Sequence, residues 1–86
     1  MKKVTVYTTT TCPFCVRAKE LLKRKQIPFT EVTVGWDDEA AWKAMEQRSG
    51  GMKTVPQIFF DDECIGGFTD LAAIDAKGEL SARLQS

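Results

Sequence analysis

The chain has 86 residues, with twelve Lys and Arg against twelve Asp and Glu, three Cys and no His. A chain of this length makes one small domain over residues 1–86, and its zero net charge argues against a nucleic-acid-binding protein, which usually has a strong basic excess. The missing histidine excludes Ser-His and Cys-His catalysis and histidine-ligated metals, so any chemistry must come from sulfur, carboxylates or backbone dipoles.

The first third of the chain predicts a strand, a helix and a second strand. Residues 3–7 alternate, with two valines on one face, as expected for a strand. Pro13 suits the first position of a helix, where its missing N–H has no helical partner, and apolar residues at helical spacing continue this helix over 14–25. Residues 29–34 alternate again and predict the second strand.

The rest of the chain predicts two more helices and a pair of short strands. Asp37 and Asp38 can cap the free N–H groups at the start of a helix, and Thr69 or Asp70 can do the same for the last one. The elements after the second strand are, in chain order, a helix from 39 to about 49, a strand at 57–60, a turn at 61–63, a strand at 64–65, a helix from about 70 to 76, and a helical turn or two within 79–85.

The order β-α-β-α-β-β-α predicts an α/β protein. The first strand-helix-strand unit should be a right-handed parallel crossover, and the strands at 57–60 and 64–65 should form an antiparallel hairpin. Helices then cover a four-stranded mixed sheet, with ligands at the carboxyl ends of its strands. No apolar run approaches the ~18 residues of a membrane helix, and the first residues lack the apolar stretch of a signal peptide. We therefore expect a cytoplasmic protein with no membrane partner.

Cys12-Pro13-Phe14-Cys15 is the strongest functional signal in the chain. Two cysteines separated by two residues, at the start of a helix that follows a strand, are typical of a cytosolic redox motif. Cys12 falls at the helix N-terminus, where free N–H groups and the helix dipole favour a thiolate, and Cys15 falls one turn inside, where it should be more buried. Their disulfide would close a small ring that opens readily, as an exchange catalyst requires. Arg17 and Lys19 add positive potential nearby.

Three other interpretations of the two cysteines are less favourable. A zinc site needs four ligands, and only Cys64 remains besides the pair, so we expect no metal. The other two are a pair of inert buried thiols and a structural disulfide, which is disfavoured because such bonds are rare in the cytosol and this loop is very short. Cys64 itself, just after an acidic turn, is expected to be structural or incidental.

Together with two later motifs, this segment resembles the bacterial dithiol glutaredoxins. The three motifs are Tyr7 with four threonines and Cys12-Pro13-Phe14-Cys15, then Thr54-Val55-Pro56-Gln57, then Gly66-Gly67-Phe68-Thr69-Asp70-Leu71. They follow the order and spacing of the family and cover nearly the whole chain. The resemblance implies a thioredoxin fold and a glutathione site.

The resemblance also implies roles for individual residues. In the family, the proline at Pro56 is cis and faces the active sulfur, and the backbone at Val55 pairs with the cysteine of glutathione like an added strand. The helix start at 67–70 holds the γ-glutamyl end, and a basic residue at Lys53 faces the glycine carboxylate. The implied glutathione contacts are Phe14, Lys53, Thr54, Val55, Pro56, Gly67, Phe68, Thr69 and Asp70. Taken alone, a strand start, a plain turn and a solvated surface would also account for Pro56, the glycine pair and Lys53.

Two positions depart from the family pattern. The third residue before the first cysteine is often lysine, which is thought to meet a glutathione carboxylate and favour the thiolate, but it is Thr9 here. The tyrosine common inside the motif is Phe14, which keeps the ring and loses the hydroxyl. Trp36 and Trp42 are expected to pack in the core or at its edge.

The sequence therefore predicts a glutathione-dependent thiol-disulfide oxidoreductase with Cys12 as nucleophile and Cys15 as resolving thiol. We expect a monomer with no tightly bound cofactor, with glutathione as reducing co-substrate, and with protein disulfides and glutathionylated proteins as partners. Ribonucleotide reductase is implied only by the resemblance. Two alternatives stay open: a dimeric iron-sulfur cluster carrier, against which Pro13 counts, and a redoxin reduced by thioredoxin reductase.

Overall fold

The computed structural model describes residues 2–35, 37–51 and 54–85, and four strands and four helices follow one another in that part of the chain. They are β1 (Val4–Thr8), α1 (Pro13–Arg24), β2 (Thr30–Thr33), α2 (Glu39–Arg48), β3 (Gln57–Phe60), β4 (Glu63–Gly66), α3 (Phe68–Ala76) and α4 (Leu80–Gln85). The predicted order is confirmed, and the turns expected at the end of the chain form a short helix. Among the described residues, no helix is long and apolar enough to cross a bilayer.

The four strands form one mixed sheet in the order β2-β1-β3-β4. β1 and β2 run parallel, with Thr8 opposite Thr33, and α1 connects them. β3 runs antiparallel to β1, with Val6 opposite Ile58, and β4 runs antiparallel to β3. The predicted parallel crossover and antiparallel hairpin are therefore both present in one sheet.

The hydrophobic core lies between one face of this sheet and three of the helices. Val4 and Val6 of β1 share that face with their partners Ile58 and Phe60 of β3, and all four are at most 1% exposed. The helices and their flanks complete the core with Ala18, Leu21, Leu22, Ile27, Leu71, Ile74, Leu80 and Leu84. Because this apolar burial fixes α1 against the sheet, the first turn of α1 is held at the carboxyl end of β1.

The opposite face of the sheet carries an aromatic cluster that α2 covers in part. Phe59 is fully buried there, and the guanidinium of Arg48, the last residue of α2, lies 4.5 Å from the centroid of its ring. Arg48 also donates a hydrogen bond of 2.6 Å to the Tyr7 hydroxyl. Trp42 is half-buried, and its indole N–H donates to a backbone carbonyl of the preceding loop. This agrees with the packing expected of it, whereas Trp36 lies outside the described residues.

Two element boundaries refine the sequence prediction. β4 begins at Glu63, so the turn of the hairpin is shorter than expected, and Asp61 adopts a left-handed backbone there with φ 54°. Of the two aspartates proposed to cap α2, Asp38 is the N-cap, and its carboxylate accepts a hydrogen bond of 3.1 Å from the Ala41 N–H.

Candidate active site

Cys12 lies at the N-terminus of α1, just after the loop that follows β1. It is the N-cap residue, with extended backbone (φ −139°, ψ 103°), and Pro13 takes the first helical position. The N–H of Cys15 donates a hydrogen bond to Cys12 Sγ over 3.2 Å. The sulfur thus takes the place of the side-chain oxygen that usually caps a helix, where partial positive charge collects. Cys12 is also only half-buried, so its sulfur is accessible from the solvent side of the helix start.

Cys15 lies one turn inside α1 and is only 1% exposed. Burial raises the pKa of its thiol from 9.0 to about 12, and the hydrogen bond to Cys12 and the like charge of that sulfur act in the same direction. The backbone N–H of Thr9 and the positive charge of Lys19 act the opposite way. The prediction that the second cysteine is more buried is confirmed, and its thiol stays protonated at neutral pH in the reduced protein.

The segment before β3 faces the sulfur of Cys12. The Val55–Pro56 peptide bond is cis, as the family pattern implies, and the Cys12 thiol donates a hydrogen bond of 3.8 Å to the Val55 carbonyl. Gln57, fully buried in β3, steadies this segment because its side-chain amide donates to Thr54 Oγ1 over 3.0 Å. Two motifs that are 43 residues apart in the chain therefore meet at one sulfur.

The start of α3 differs from the sequence prediction. Gly67 is the N-cap, not Thr69 or Asp70, and Asp70 instead accepts a hydrogen bond of 3.0 Å from the Gly67 N–H. The prediction was wrong because a carboxylate in the first turn can reach back to the backbone before it, as in a capping box. Gly66 comes just before, with φ +117°, and a Cβ there would collide with the Asp70 carboxylate. Only glycine fits that position without strain.

These three segments line one cleft beside Cys12. Its volume is about 260 Å³, and its walls are formed by Phe14, Thr54, Val55, Pro56, Gly67, Phe68, Thr69 and Asp70. Phe14 and Phe68 lie side by side with ring centroids 6.2 Å apart, and the guanidinium of Arg17 lies over the Phe14 ring. The cleft thus brings together eight of the nine predicted glutathione contacts, and the ninth, Lys53, lies outside the described residues.

Thr9, which stands where the family often has lysine, does not contribute a charge or a hydroxyl to this cleft. The residue is 6% exposed, and its Oγ1 is buried without a hydrogen-bond partner among residues 2–35, 37–51 and 54–85. Its backbone instead lowers the pKa of the Cys15 thiol. Arg17, which stacks on Phe14 at 5.3 Å, places a positive charge near the cleft.

Cys64 has the surroundings of a structural thiol. It is half-buried in β4, and its thiol donates a hydrogen bond of 3.6 Å to the side-chain carbonyl of Gln57. Burial raises the pKa of this thiol. A thiol that resists ionisation is a poor nucleophile, so the geometry agrees with the structural role expected from the sequence.

Comparison with known proteins decides the family. The family model described as glutaredoxin matches residues 4–65 of this chain. A probable glutaredoxin of Synechocystis sp. is 48% identical over 84 residues, which is 98% of this chain and 94% of that protein. This chain belongs to the glutaredoxin family. Glutaredoxin 3 of Escherichia coli K12 is 45% identical over 85 residues, which is 99% of this chain and 100% of that glutaredoxin.

Solved glutaredoxins share the architecture as well as the sequence. A crystal structure of a buckwheat glutaredoxin–glutathione complex superposes with a TM-score of 0.85 at 26% identity, over 98% of this chain and 77% of that chain. This glutaredoxin therefore has the thioredoxin fold expected from the sequence, and it is a thiol-disulfide oxidoreductase. A dithiol such as the one at the start of α1 can carry such chemistry.

Some residues around the dithiol of this glutaredoxin escaped the sequence analysis. Gly66 was read only as part of a turn motif, although its positive φ and closeness to Asp70 require glycine. Thr8 was expected in the loop after the first strand and Glu31 was expected as an ordinary strand residue, yet they hold Lys19 beside the first turn of α1. The spacing of Lys19, four residues after Cys15, was the one local sign of that arrangement.

Proposed function

We propose that this glutaredoxin uses glutathione to reduce protein disulfides and protein-glutathione mixed disulfides. The observation that carries the proposal is the contact between Cys12 Sγ and the Val55 carbonyl, because the helix-capping sulfur then borders the cleft that Val55 lines. A short extended peptide in that cleft can pair with the backbone at Val55 while its own sulfur lies against Cys12. The buckwheat relative solved with glutathione supports glutathione as that peptide.

The two ends of the cleft suit the two ends of glutathione. The N-terminus of α3 at Gly67 to Asp70 favours an anion, so it would receive the γ-glutamyl carboxylate, with Thr69 beside it. The Asp70 carboxylate would face the neighbouring ammonium group. Thr54 would then lie toward the glycine end, which is the end that the family resemblance implies for Lys53. Under this proposal Phe14 and Phe68 form an apolar wall along the middle of the peptide.

With a glutathionylated protein, the reaction would need only Cys12. Its thiolate attacks the glutathione sulfur, a new S–S bond forms, and the protein leaves as a thiolate that takes up a proton. A second glutathione thiolate then attacks the glutathione sulfur held on Cys12, which releases the Cys12 thiolate and oxidised glutathione. In the net reaction the protein sulfur becomes a thiol, the incoming glutathione is oxidised, and one disulfide is exchanged for another.

With a protein disulfide, Cys15 would complete the reaction. Cys12 forms a mixed disulfide with one substrate sulfur, and Cys15 then attacks Cys12 and releases the substrate thiol. Two glutathione molecules reduce the resulting Cys12–Cys15 bond. We propose that residues 1–86 do this as one domain and as a monomer, and ribonucleotide reductase is a substrate to test on family grounds alone.

The test compares two electron donors. Turnover of a glutathionylated peptide and of a protein disulfide is measured with NADPH, glutathione and glutathione reductase, and again with NADPH and thioredoxin reductase. We expect turnover with the glutathione system only and none for Cys12→Ser with either donor. Turnover driven by thioredoxin reductase without glutathione would reject the proposal in favour of the other redoxin class. A stable visible absorbance after anaerobic reconstitution with iron, sulfide and glutathione would instead favour the cluster carrier.

A further inference from the structure

Lys19 lies on α1 one turn after Cys15. Residues four apart on a helix are neighbours on its surface, with Cβ atoms about 5–6 Å apart. The Lys19 side chain is 25% exposed, so most of it lies against the protein. Its positive charge acts on the Cys15 thiol, in the direction that favours the thiolate. A cation is thus present on the same side of the helix as the buried sulfur.

Two residues of neighbouring strands fix the position of this cation. Glu31 of β2 accepts a hydrogen bond of 2.9 Å from Lys19 Nζ and another of 2.7 Å from Thr8 Oγ1, both at Oε2. Thr8 is fully buried at the end of β1, and the backbone of the next residue, Thr9, lowers the pKa of the Cys15 thiol. These contacts also lower the pKa of Glu31, which stays ionised at neutral pH. Lys19 is therefore tied through Glu31 to the end of β1, next to the Thr9 backbone that acts on the pKa of Cys15.

We propose that Lys19, held by Glu31 and Thr8, is a positioning residue for the resolving step, in which its ammonium favours the thiolate of Cys15. The proposal rests on the proposed function for the protein-disulfide half of the reaction. It does not involve the glutathione cleft, since Lys19 is not among the residues that line it.

The resolving step explains why such help is useful. Cys15 gives its proton to water, its thiolate attacks the Cys12 sulfur of the mixed disulfide, and the bond from Cys12 to the substrate sulfur breaks. The electron pair leaves on the substrate thiolate, which takes up a proton, so the two cysteines are oxidised and the substrate disulfide is reduced. Cys12 carries no charge while it is in the mixed disulfide, so its like-charge effect on Cys15 ends. The Lys19 ammonium and the Thr9 N–H then remain to offset the cost of burial.

The charged groups near this network also provide a matched control. Cys12 and Lys19 are the charged groups that act on Cys15, and Lys23, one turn further along α1, acts on Glu31. Lys23→Met removes the same charge as Lys19→Met from the same helix without touching the bond to Glu31. A general effect of net charge would appear in both variants.

The experiment follows the reduced protein after mixing with excess 5,5′-dithiobis(2-nitrobenzoate) in a stopped-flow instrument, in a Cys64→Ser background. Cys12 releases the first thionitrobenzoate, and closure by Cys15 releases the second at a rate independent of reagent concentration. Lys19→Met should leave the first phase unchanged, slow the second, and move its pH midpoint upward. Each unit of pKa gained by Cys15 reduces its thiolate tenfold but makes that thiolate about threefold more nucleophilic, so closure slows about threefold per unit.

Three further variants decide the outcome. Lys19→Arg should restore closure, and Lys23→Met should behave as the parent protein. Glu31→Gln keeps an oxygen for both hydrogen bonds, so it should slow closure less than Lys19→Met; a larger effect would make the carboxylate the active group and overturn the proposal. Unchanged closure in Lys19→Met, equal slowing in Lys23→Met, or equal slowing of both phases would overturn it as well. Circular dichroism confirms that each variant folds, and since glutathione is absent, failure here is separate from failure of the proposed function.

Discussion

Cys12 and Cys15 lie three residues apart in one helical turn, but their surroundings are opposite. Cys12 caps the helix, is half-buried, and borders the cleft through its contact with Val55. Cys15 is 1% exposed, and burial raises the pKa of its thiol to about 12. The helix N-terminus thus separates an accessible sulfur from a buried one without any change of residue type. Under the proposed function, the position of each cysteine in the turn assigns its part in the reaction.

The largest expected effect comes from removing each sulfur in turn. Cys12→Ser should abolish both protein-disulfide reduction and deglutathionylation, because it removes the accessible nucleophile. Cys15→Ser should abolish only the first, since a second glutathione can still release Cys12. Both activities are measured with glutathione and glutathione reductase. Retained turnover in Cys12→Ser, or loss of deglutathionylation in Cys15→Ser, would show that the roles are assigned wrongly.

A smaller effect is expected in the cleft beside Cys12, at the end formed by the start of α3. Asp70→Asn keeps an oxygen for the Gly67 N–H but loses the charge proposed to face the ammonium of glutathione. A lost charge-assisted hydrogen bond of about 1.5 kcal/mol corresponds to about a tenfold rise in KM for glutathione. Closure of the Cys12–Cys15 bond should not change. The matched control is Asp75→Asn on the same helix, where the carboxylate pairs with Lys25 at 3.2 Å; an equal rise in KM there would contradict a local role for Asp70.

The burial of Cys15 predicts that the stability of the reduced protein depends on pH. Above the ordinary pKa of 9.0 the unfolded chain ionises this thiol, whereas the folded protein keeps it protonated up to about pH 12. The stabilising contribution is therefore complete below pH 9 and is lost as the pH rises toward 12, with a slope of at most about 1.4 kcal/mol per pH unit. Urea unfolding at a series of pH values, in the presence of a thiol reductant, measures this loss of stability. Cys15→Ser is the control, because other groups titrate in the same pH range. If the free energy of unfolding changed with pH in the same way in both proteins, the pKa of Cys15 would not be raised by folding.

Local signals in the sequence predicted much of this molecule. Alternating residues placed β1 with its valines inward, and Pro13 after a cysteine placed the start of α1, because caps and first-turn prolines are set by the few residues around them. The greater burial of Cys15 also followed from helical spacing. These features depend on contacts within one turn or one strand, so the residues near each of them were sufficient.

Features that depend on distant contacts were not available from local patterns. The meeting of Cys12 with Val55 was expected only from the family resemblance, since the two residues are 43 positions apart. The link from Lys19 to Glu31 depends on the parallel register of β1 with β2, which no residue in α1 specifies. Asp70 was expected as a cap because its side chain suits one, and the structure shows that the same carboxylate acts from inside the turn on Gly67.

The smallest expected effect is a difference in stability between variants of two neighbouring threonines behind Cys15. Thr8 and Thr9 are both buried, but Thr8 donates to Glu31 over 2.7 Å, whereas the Thr9 hydroxyl has no partner among the described residues. Thr8→Val should cost about 2 kcal/mol in free energy of unfolding, because it removes a hydrogen bond to a charged group. Thr9→Val should instead stabilise the protein by about 1 kcal/mol, since it replaces an unsatisfied buried hydroxyl by a methyl group of similar shape.

Urea unfolding of the reduced variants, side by side, measures this contrast, and closure by Cys15 provides a second readout. Thr9→Val leaves the backbone that acts on Cys15 in place and does not touch Glu31, so closure should be unchanged, whereas Thr8→Val removes a hydrogen bond to Glu31 and should slow closure. A loss of stability in Thr9→Val equal to that in Thr8→Val would mean that both hydroxyls are hydrogen-bonded in solution. The buried hydroxyls behind Cys15 would then all be hydrogen-bonded. The surroundings of Cys15 would in that case differ less from the solvent-facing surroundings of Cys12 than the burial of the two sulfurs indicates.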